Sequence, residues 1–356
     1  MRFLKALILI ALLPSLAFAT PTDQYVNCAC GTNGDGTSAS CTEGGAGTPG
    51  AFSTFANWEG QNSTLTTAMV VHFSGTCTAA STLAGWTTSG ANTLTLDGLT
   101  IATTDYNAVL SVDQNYVILN NFTGSKTSGT VKIQVLDVTA TAATFTLKKS
   151  KLFNGSGVTR DSGNAVLQIA SVASGTRTIY DNVIYGSKQD GINYSTANGE
   201  TANLYNNTVY GSTGAGIALA VDANTATWNL KNNLASNNTG GDYSVSPGGS
   251  TVYNHATNLS SDTTSPEVSL RSKTVSFVNT GTNDYHLQSG DTSAKDAGTD
   301  LSATFTTDYD GDTFGTWDIG FDEPGAGGGG GGSAVLNVNN ADASGWTWRD
   351  SEGGSQ

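Results

Sequence analysis

The chain has 356 residues, with 15 Lys+Arg against 29 Asp+Glu for a formal charge of −14, and it carries 44 glycines but only 12% charged residues. So few charges exclude a coiled coil or a polyelectrolyte tail, and apolar residues recurring along the chain exclude disorder by self-repulsion. The acidic balance repels phosphate backbones and anionic headgroups, so neither nucleic acid nor a membrane surface is an expected partner.

Residues 1–19 read as a secretory signal peptide. Arg2 and Lys5 open it, Ala6 to Leu13 is apolar, and Ala17-Phe18-Ala19 precedes Thr20 as a cleavage site. No later run approaches the ~20 apolar residues of a membrane helix. The expected location is therefore extracellular or on the cell surface. Residues 20–75 read as an N-terminal cap rich in Gly, Thr and Ser. Its cysteines Cys28, Cys30 and Cys41, together with Cys77, form an even set in an oxidising compartment, which implies two disulfides. Cys28 and Cys30 are too close in sequence to pair with each other, so each is expected to bond to Cys41 or Cys77. C-x-C without a second pair is a weak zinc motif.

Residues 76–265 carry a repeat. Ile118-Leu119-Asn120-Asn121-Phe122 returns as Leu147-Lys148-Lys149-Ser150-Lys151-Leu152 and as Ile179-Tyr180-Asp181-Asn182-Val183. Further copies are Leu204-Tyr205-Asn206-Asn207-Thr208 and Leu230-Lys231-Asn232-Asn233-Leu234, with a degenerate one at Leu96-Asp97-Gly98-Leu99. Aligning Gly98, Asn121, Ser150, Asn182, Asn207 and Asn233 gives steps of 23, 29, 32, 25 and 26 residues. A second column stays in phase with it: Asn107-Ala108-Val109, Asn164-Ala165-Val166, Asp190-Gly191-Ile192 and Ala215-Gly216-Ile217. Short alternating strands at this period predict a solenoid whose coils stack at ~4.8 Å in parallel sheets. Asn121, Asn182, Asn207 and Asn233 are expected to form a structural ladder. Asn tolerates the left-handed backbone of a sharp corner, and stacked amides can satisfy one another.

This repeat resembles the right-handed parallel β-helices of the pectate-lyase-like superfamily. The expected fold class is thus all-β, a right-handed parallel β-helix with N- and C-terminal caps. Residues 266–324 read as the C-terminal cap. There, Asp284-Tyr285-His286-Leu287-Gln288-Ser289-Gly290, Asp296-Ala297-Gly298, Asp308-Tyr309-Asp310-Gly311 and Asp318-Ile319-Gly320-Phe321-Asp322-Glu323 follow in order. The series is similar to the closing segment of choice-of-anchor Q proteins. It departs from that pattern at Thr292-Ser293-Ala294-Lys295, where the family usually has Ser-Pro-Ala-Ile, and at Phe314, in the neighbourhood where an Arg is common. Residues 325–333 read as a Gly-rich linker, and 334–356 as a short tail.

Carbohydrate-cleaving β-helices place several carboxylates on one exposed sheet, with Ca²⁺ or as acid and base. Here the corresponding column offers one, Asp190, which Asp161 and Lys188 could join as a catalytic group. Tyr180 with Tyr205, and Tyr185 with Tyr210, recur 25 residues apart as a candidate platform for sugar rings. Asp308, Asp310 and Asp312 alternate as a candidate Ca²⁺ site, the one cofactor expected if any is. His72, His255 and His286 are scattered. The functional expectation is a secreted, non-catalytic protein engaging polysaccharide or a cell-surface glycan. A polysaccharide lyase or glycoside hydrolase is the alternative, and a phage tailspike, which shares the fold, is disfavoured by the signal peptide.

Overall fold

The computed structural model describes residues 23–41, 48–221 and 225–324. The segments read as signal peptide, Gly-rich linker and tail lie outside the described residues. Within them the chain is a parallel β-solenoid of three sheets. A nine-stranded first sheet runs from Asp23–Asn27 and Met69–Ser74 to Val252–Ala256. The second, of eight strands, runs from Thr76–Cys77 to Leu259–Ser260, and the third, of seven, from Ser81–Leu83 to Tyr243–Ser246. Each coil visits the first, second and third sheet in turn. Stacking therefore begins at Asp23, inside the segment read as a cap.

Alternation along each strand fills the interior. On the first sheet Leu94, Val117, Phe145, Arg177, Ala202 and Trp228 are register partners, and all are buried. Arg177 thus takes a slot in an apolar column. Its Nη1 meets Glu200 Oε1 at 3.0 Å with both side chains fully buried. Its remaining donors reach the carbonyls of Ala142, Ala170 and Thr139. Glu200 in turn accepts from the Tyr194 hydroxyl at 2.7 Å and from the backbone N–H groups of Val172 and Ala197. A buried charge survives only when it is paired and its hydrogen bonds are met.

The corner between the first and second sheets separates two roles that the sequence had merged. Gly98, Asn121, Lys149, Asp181, Asn206, Asn232 and Thr257 all take left-handed angles, with φ between 47° and 74°. The residues after them turn inward. Ser150, Asn182, Asn207, Asn233 and Asn258 form the buried ladder, at steps of 32, 25, 26 and 25 residues. Each Asn Nδ2 donates to the next Oδ1, from Asn182 to Asn207, Asn233 and Asn258, at 2.8–2.9 Å. The same amides also donate to the carbonyls of Leu147, Ile179, Leu204 and Leu230. Asn121 is therefore not a rung. It is the exposed bend residue, and Phe122 stands at its ladder position. Gly98 was likewise aligned one residue too early.

The two coils with the longest steps contain the two longest strands, Thr123–Lys132 and Lys151–Ser162, which pair as an extension projecting beyond the second sheet. At the N-terminal end the one α-helix among the described residues, Phe55–Glu59, is capped by Thr54, whose Oγ1 accepts from Asn57 N at 3.0 Å. It lays Trp58 against Trp86, with ring centroids 5.3 Å apart, and over the first coil. Cys28–Cys77 and Cys30–Cys41 are the two disulfides, so Cys77 ties the leading segment to the second sheet. Two such bonds fit an oxidising, extracellular environment.

The C-terminal segment runs along the outer flank of the solenoid. The antiparallel pair Phe277–Asn279 and Asp284–Leu287 brings Phe277, Tyr285 and Leu287 onto Val183, Tyr185, Leu234 and Leu259 of the second sheet. The segment from 277 to 323 is a strap, and its residues 299–308 and 317–321 continue over the corner. Gly320, at φ 111°, lets the strap backbone approach the corner, where its N–H reaches Asn232 O at 2.8 Å. A Cβ there would stand 2.7 Å from Thr208 Oγ1.

Candidate functional site

The strap leaves a cleft of about 480 Å³ against the first sheet, lined by Asn120, Asn121, Lys148, Lys149, Tyr180 and residues 304–307 and 309–311. Its floor follows from strand register. Asn120, Lys148 and Tyr180 are partners on successive coils with side chains pointing outward. Asn121 and Lys149 are the bend residues that follow them. Asn120 and Asn121 both donate to Asp97 Oδ1, at 2.7 and 3.0 Å, which fixes their amides along one edge. Lys149 Nζ donates to Thr307 Oγ1 at 2.9 Å. Partial burial, and then the neighbouring Lys149, lower the Lys148 pKa. Tyr180 stacks on Phe305 with centroids 4.5 Å apart, and burial pushes its hydroxyl up to about 12. The cleft thus offers two ammonium groups, side-chain amides and an aromatic wall on an acidic protein, and its one lining carboxylate, Asp310, is paired with His286. Such a set can hold an anionic, hydroxyl-rich ligand.

The expected tyrosine platform is largely covered. Tyr185 is 5% exposed, stacked on Phe153 and against Tyr285. Tyr210 packs on Tyr285 and Phe277. Tyr205 lies partly buried against Leu301, Phe305 and Trp317. The 25-residue recurrence is real, since Tyr180 pairs with Tyr205 and Tyr185 with Tyr210 in register. What occupies these rings is the protein's own strap, and only Tyr180 lines the cleft.

The catalytic trio is not assembled as a site. Asp190 Oδ1 accepts from Ala215 N at 2.8 Å and Oδ2 from Asn193 Nδ2 at 2.9 Å, so its carboxylate anchors a turn. Asp161 is exposed on the projecting Lys151–Ser162 strand, and Lys188 meets Asn154 only through its backbone N–H. Among the described residues no ion pair joins the three.

Asp308, Asp310 and Asp312 also diverge, because they sit in a tight turn with Gly311 at φ 95° instead of along a strand. Asp308 is buried, with Oδ1 accepting from the N–H groups of Gly311 and Asp312 and Oδ2 from Glu323 N. Asp312 is exposed. Asp310 pairs with His286 Nε2 at 3.0 Å, while His286 Nδ1 meets Asp284 at 2.5 Å. Burial works against the charged imidazole, but its hydrogen bonds to Asp310 and Asp284 raise it to about 9. Ligand atoms of His286, Asp310 and Asp322 lie within 4.8 Å of one another and could hold a metal ion. As it stands, a charged imidazole already bridges two of the strap's carboxylates.

Lys148 and Lys149 had been read only as a copy of the repeat. The usable signal was composition: adjacent lysines at a corner of a chain with so few cations. Phe305 and the strap face of the cleft come from residues more than 120 positions away, beyond any local pattern. No known protein family matches the chain, and neither the curated proteins nor the solved structures contain a match to it. Among the described residues no helix is long and apolar enough to cross a membrane.

Proposed function

We propose that this protein is an exported, non-catalytic β-solenoid that binds an acidic polysaccharide in the cleft between its first sheet and its strap. The observation carrying the reading is the convergence of Lys148, Lys149, Asn120 and Asn121 beside the Tyr180–Phe305 stack. Ammonium groups pair with uronate or sulfate oxygens, amides bond to hydroxyls, and an aromatic edge packs on a pyranose face. The resemblance to pectate-lyase-like β-helices and to the choice-of-anchor Q closing segment supports a surface role outside the cell. Against hydrolysis or elimination stands the engagement of Asp190 and Asp310 in turn and ion-pair contacts.

The test is a glycan array probed with the mature protein, followed by titration and a reducing-end assay. Uronate-rich or sulfated chains are expected to bind above neutral ones. Lys148→Ala with Lys149→Ala should weaken them by about tenfold or more, with no bond cleavage. Preference for neutral glycans, binding indifferent to both lysines, or turnover would each overturn the proposal.

A further inference from the structure

Beneath the strap the protein gathers more oxygen than its own groups satisfy. Asp181 and Asn206 occupy successive positions of the left-handed corner column, and both are fully buried at 0% exposure. Neither carboxylate oxygen of Asp181, and neither polar atom of the Asn206 amide, meets a hydrogen-bonding group among the described residues. Their neighbours in the column differ. Lys149 Nζ is bound to Thr307 Oγ1, and the Asn232 amide donates to Thr299 O and accepts from Thr299 N, both at 2.8 Å.

Those contacts pin the strap to the corner column on either side of Asp181 and Asn206. Gly320 N on Asn232 O draws in one side of the strap, and Leu301, Phe305 and Trp317 packed on Tyr180 and Tyr205 cover the corner with apolar surface. Asp308 stands near enough to act electrostatically on Asp181 and on Glu323, and Glu323 on Asp318. Glu323 Oε2 and Asp318 Oδ2 are likewise buried without a partner. Lys149 and, more weakly, Lys148 act on Asp181 through space, but neither donates a hydrogen bond to it, and Lys149 is bound to the strap.

The chemistry of the buried pair is one-sided. Asp181 and Asn206 present three acceptor oxygens and one amide donor, next to further carboxylates. A lone buried carboxylate is costly unless it is neutralised and its lone pairs are met. Water supplies donors but no charge. A hard cation supplies the charge and takes carboxylate and amide oxygens as ligands.

We propose that Asp181 and Asn206 hold a calcium-class cation that fastens the C-terminal strap to the corner of the solenoid. This inference does not rest on the glycan reading, although the site and the cleft share Lys149 and the strap. The probe is calcium chloride added to protein treated with EGTA, with sodium and magnesium at matched ionic strength as comparison arms. Calcium at about a hundredfold its dissociation constant should raise Tm by about 5 °C. It should also slow proteolytic cleavage between 299 and 321 by about tenfold, and Asp181→Asn should abolish both responses. The same Tm and cleavage rate in EGTA and in calcium would overturn the proposal, as expected if Asp181 simply carries a proton. A calcium response that survives Asp181→Asn, or a response to magnesium or sodium alone, would overturn it too. Should Asp181→Asn not fold, metal analysis of the purified wild-type protein before and after EGTA decides.

Discussion

Asn207→Ala should be among the most damaging single truncations in the solenoid. The Asn207 amide donates to Ile179 O at 2.8 Å and to Asn233 Oδ1 at 2.9 Å, and it accepts from Asn182 Nδ2 at 2.9 Å. Truncation removes all three at a site with no access to water. Asn182 keeps Leu147 O, and Asn233 Oδ1 keeps Asn207 N, but Ile179 O loses this donor. Three bonds at about 1 kcal/mol each, an abandoned carbonyl and a small cavity amount to about 3–5 kcal/mol. For a chain of this size that is a fall in Tm of about 6–10 °C. The same chemical change at Asn121 is the control. It forfeits one partly exposed bond to Asp97 and places Ala in a left-handed bend, about 1–2 kcal/mol in all. Thermal unfolding of the two variants, with hydrogen exchange resolved by coil, reads the difference. Exchange should quicken in the coils around residues 179–234 for Asn207→Ala. Equal Tm shifts for the two substitutions would refute the division of labour between bend and ladder.

Arg177→Met should cost about 3–5 kcal/mol by stranding Glu200, whereas Arg177→Met with Glu200→Leu should recover most of it; urea midpoints of the three proteins test this. Reduction should remove ~4 kcal/mol of loop restraint contributed by Cys28–Cys77, which spans 49 residues. The segment before Cys77 should then become protease-sensitive while Ile118 to Leu234 resists, and uniform digestion would contradict this. Raising pH should release the strap. The folded His286 titrates at about 9, above its usual 6.5, so its contribution is complete below about 6.5 and lost as pH rises through about 9. Burial, only partly offset by His286 and Leu287 N, raises Asp322 from the usual 3.8 to about 7, so its ionisation weakens the strap earlier, as pH rises from about 4 to about 7, and adds nothing above that. Tyrosine fluorescence from Tyr185, Tyr210 and Tyr285 should change between about pH 7 and 9, and His286→Gln should flatten the alkaline part of the change.

The solenoid was legible because its strands repeat, and a repeat of short alternating strands has few other physical solutions. The corner was readable only to within one residue. In Asn206-Asn207 and Asn232-Asn233 either member could bend the chain or stack, and the alignment picked the second while crediting it with both tasks. At Asn120-Asn121 the last Asn bends and Phe122 follows, so the same rule failed by one position. The strap was not legible. Val183 and Tyr185 lie outward on a strand whose three residues are all buried, and sequence cannot say whether an outward aromatic awaits a sugar or the chain's own tail. Nor could spacing show that alternate aspartates at 308, 310 and 312 would be splayed by a tight turn at Gly311.

The side-chain ladder has a direction. Every amide from Asn182 to Asn233 points its N–H toward the C-terminal end and its oxygen toward the other, so the small dipoles add along the solenoid axis as peptide dipoles do along a helix. The positive end of this array is Asn258, whose Nδ2 and backbone N–H both face the carboxylate of Glu267. Glu267 also engages His255 at 2.8 Å, at the last strand of the first sheet. A further coil could join the array only by offering its own acceptor where that carboxylate sits. Glu267 is therefore a terminator. The number of coils in the ladder is set by where an anion stands, and not merely by where the repeat runs out.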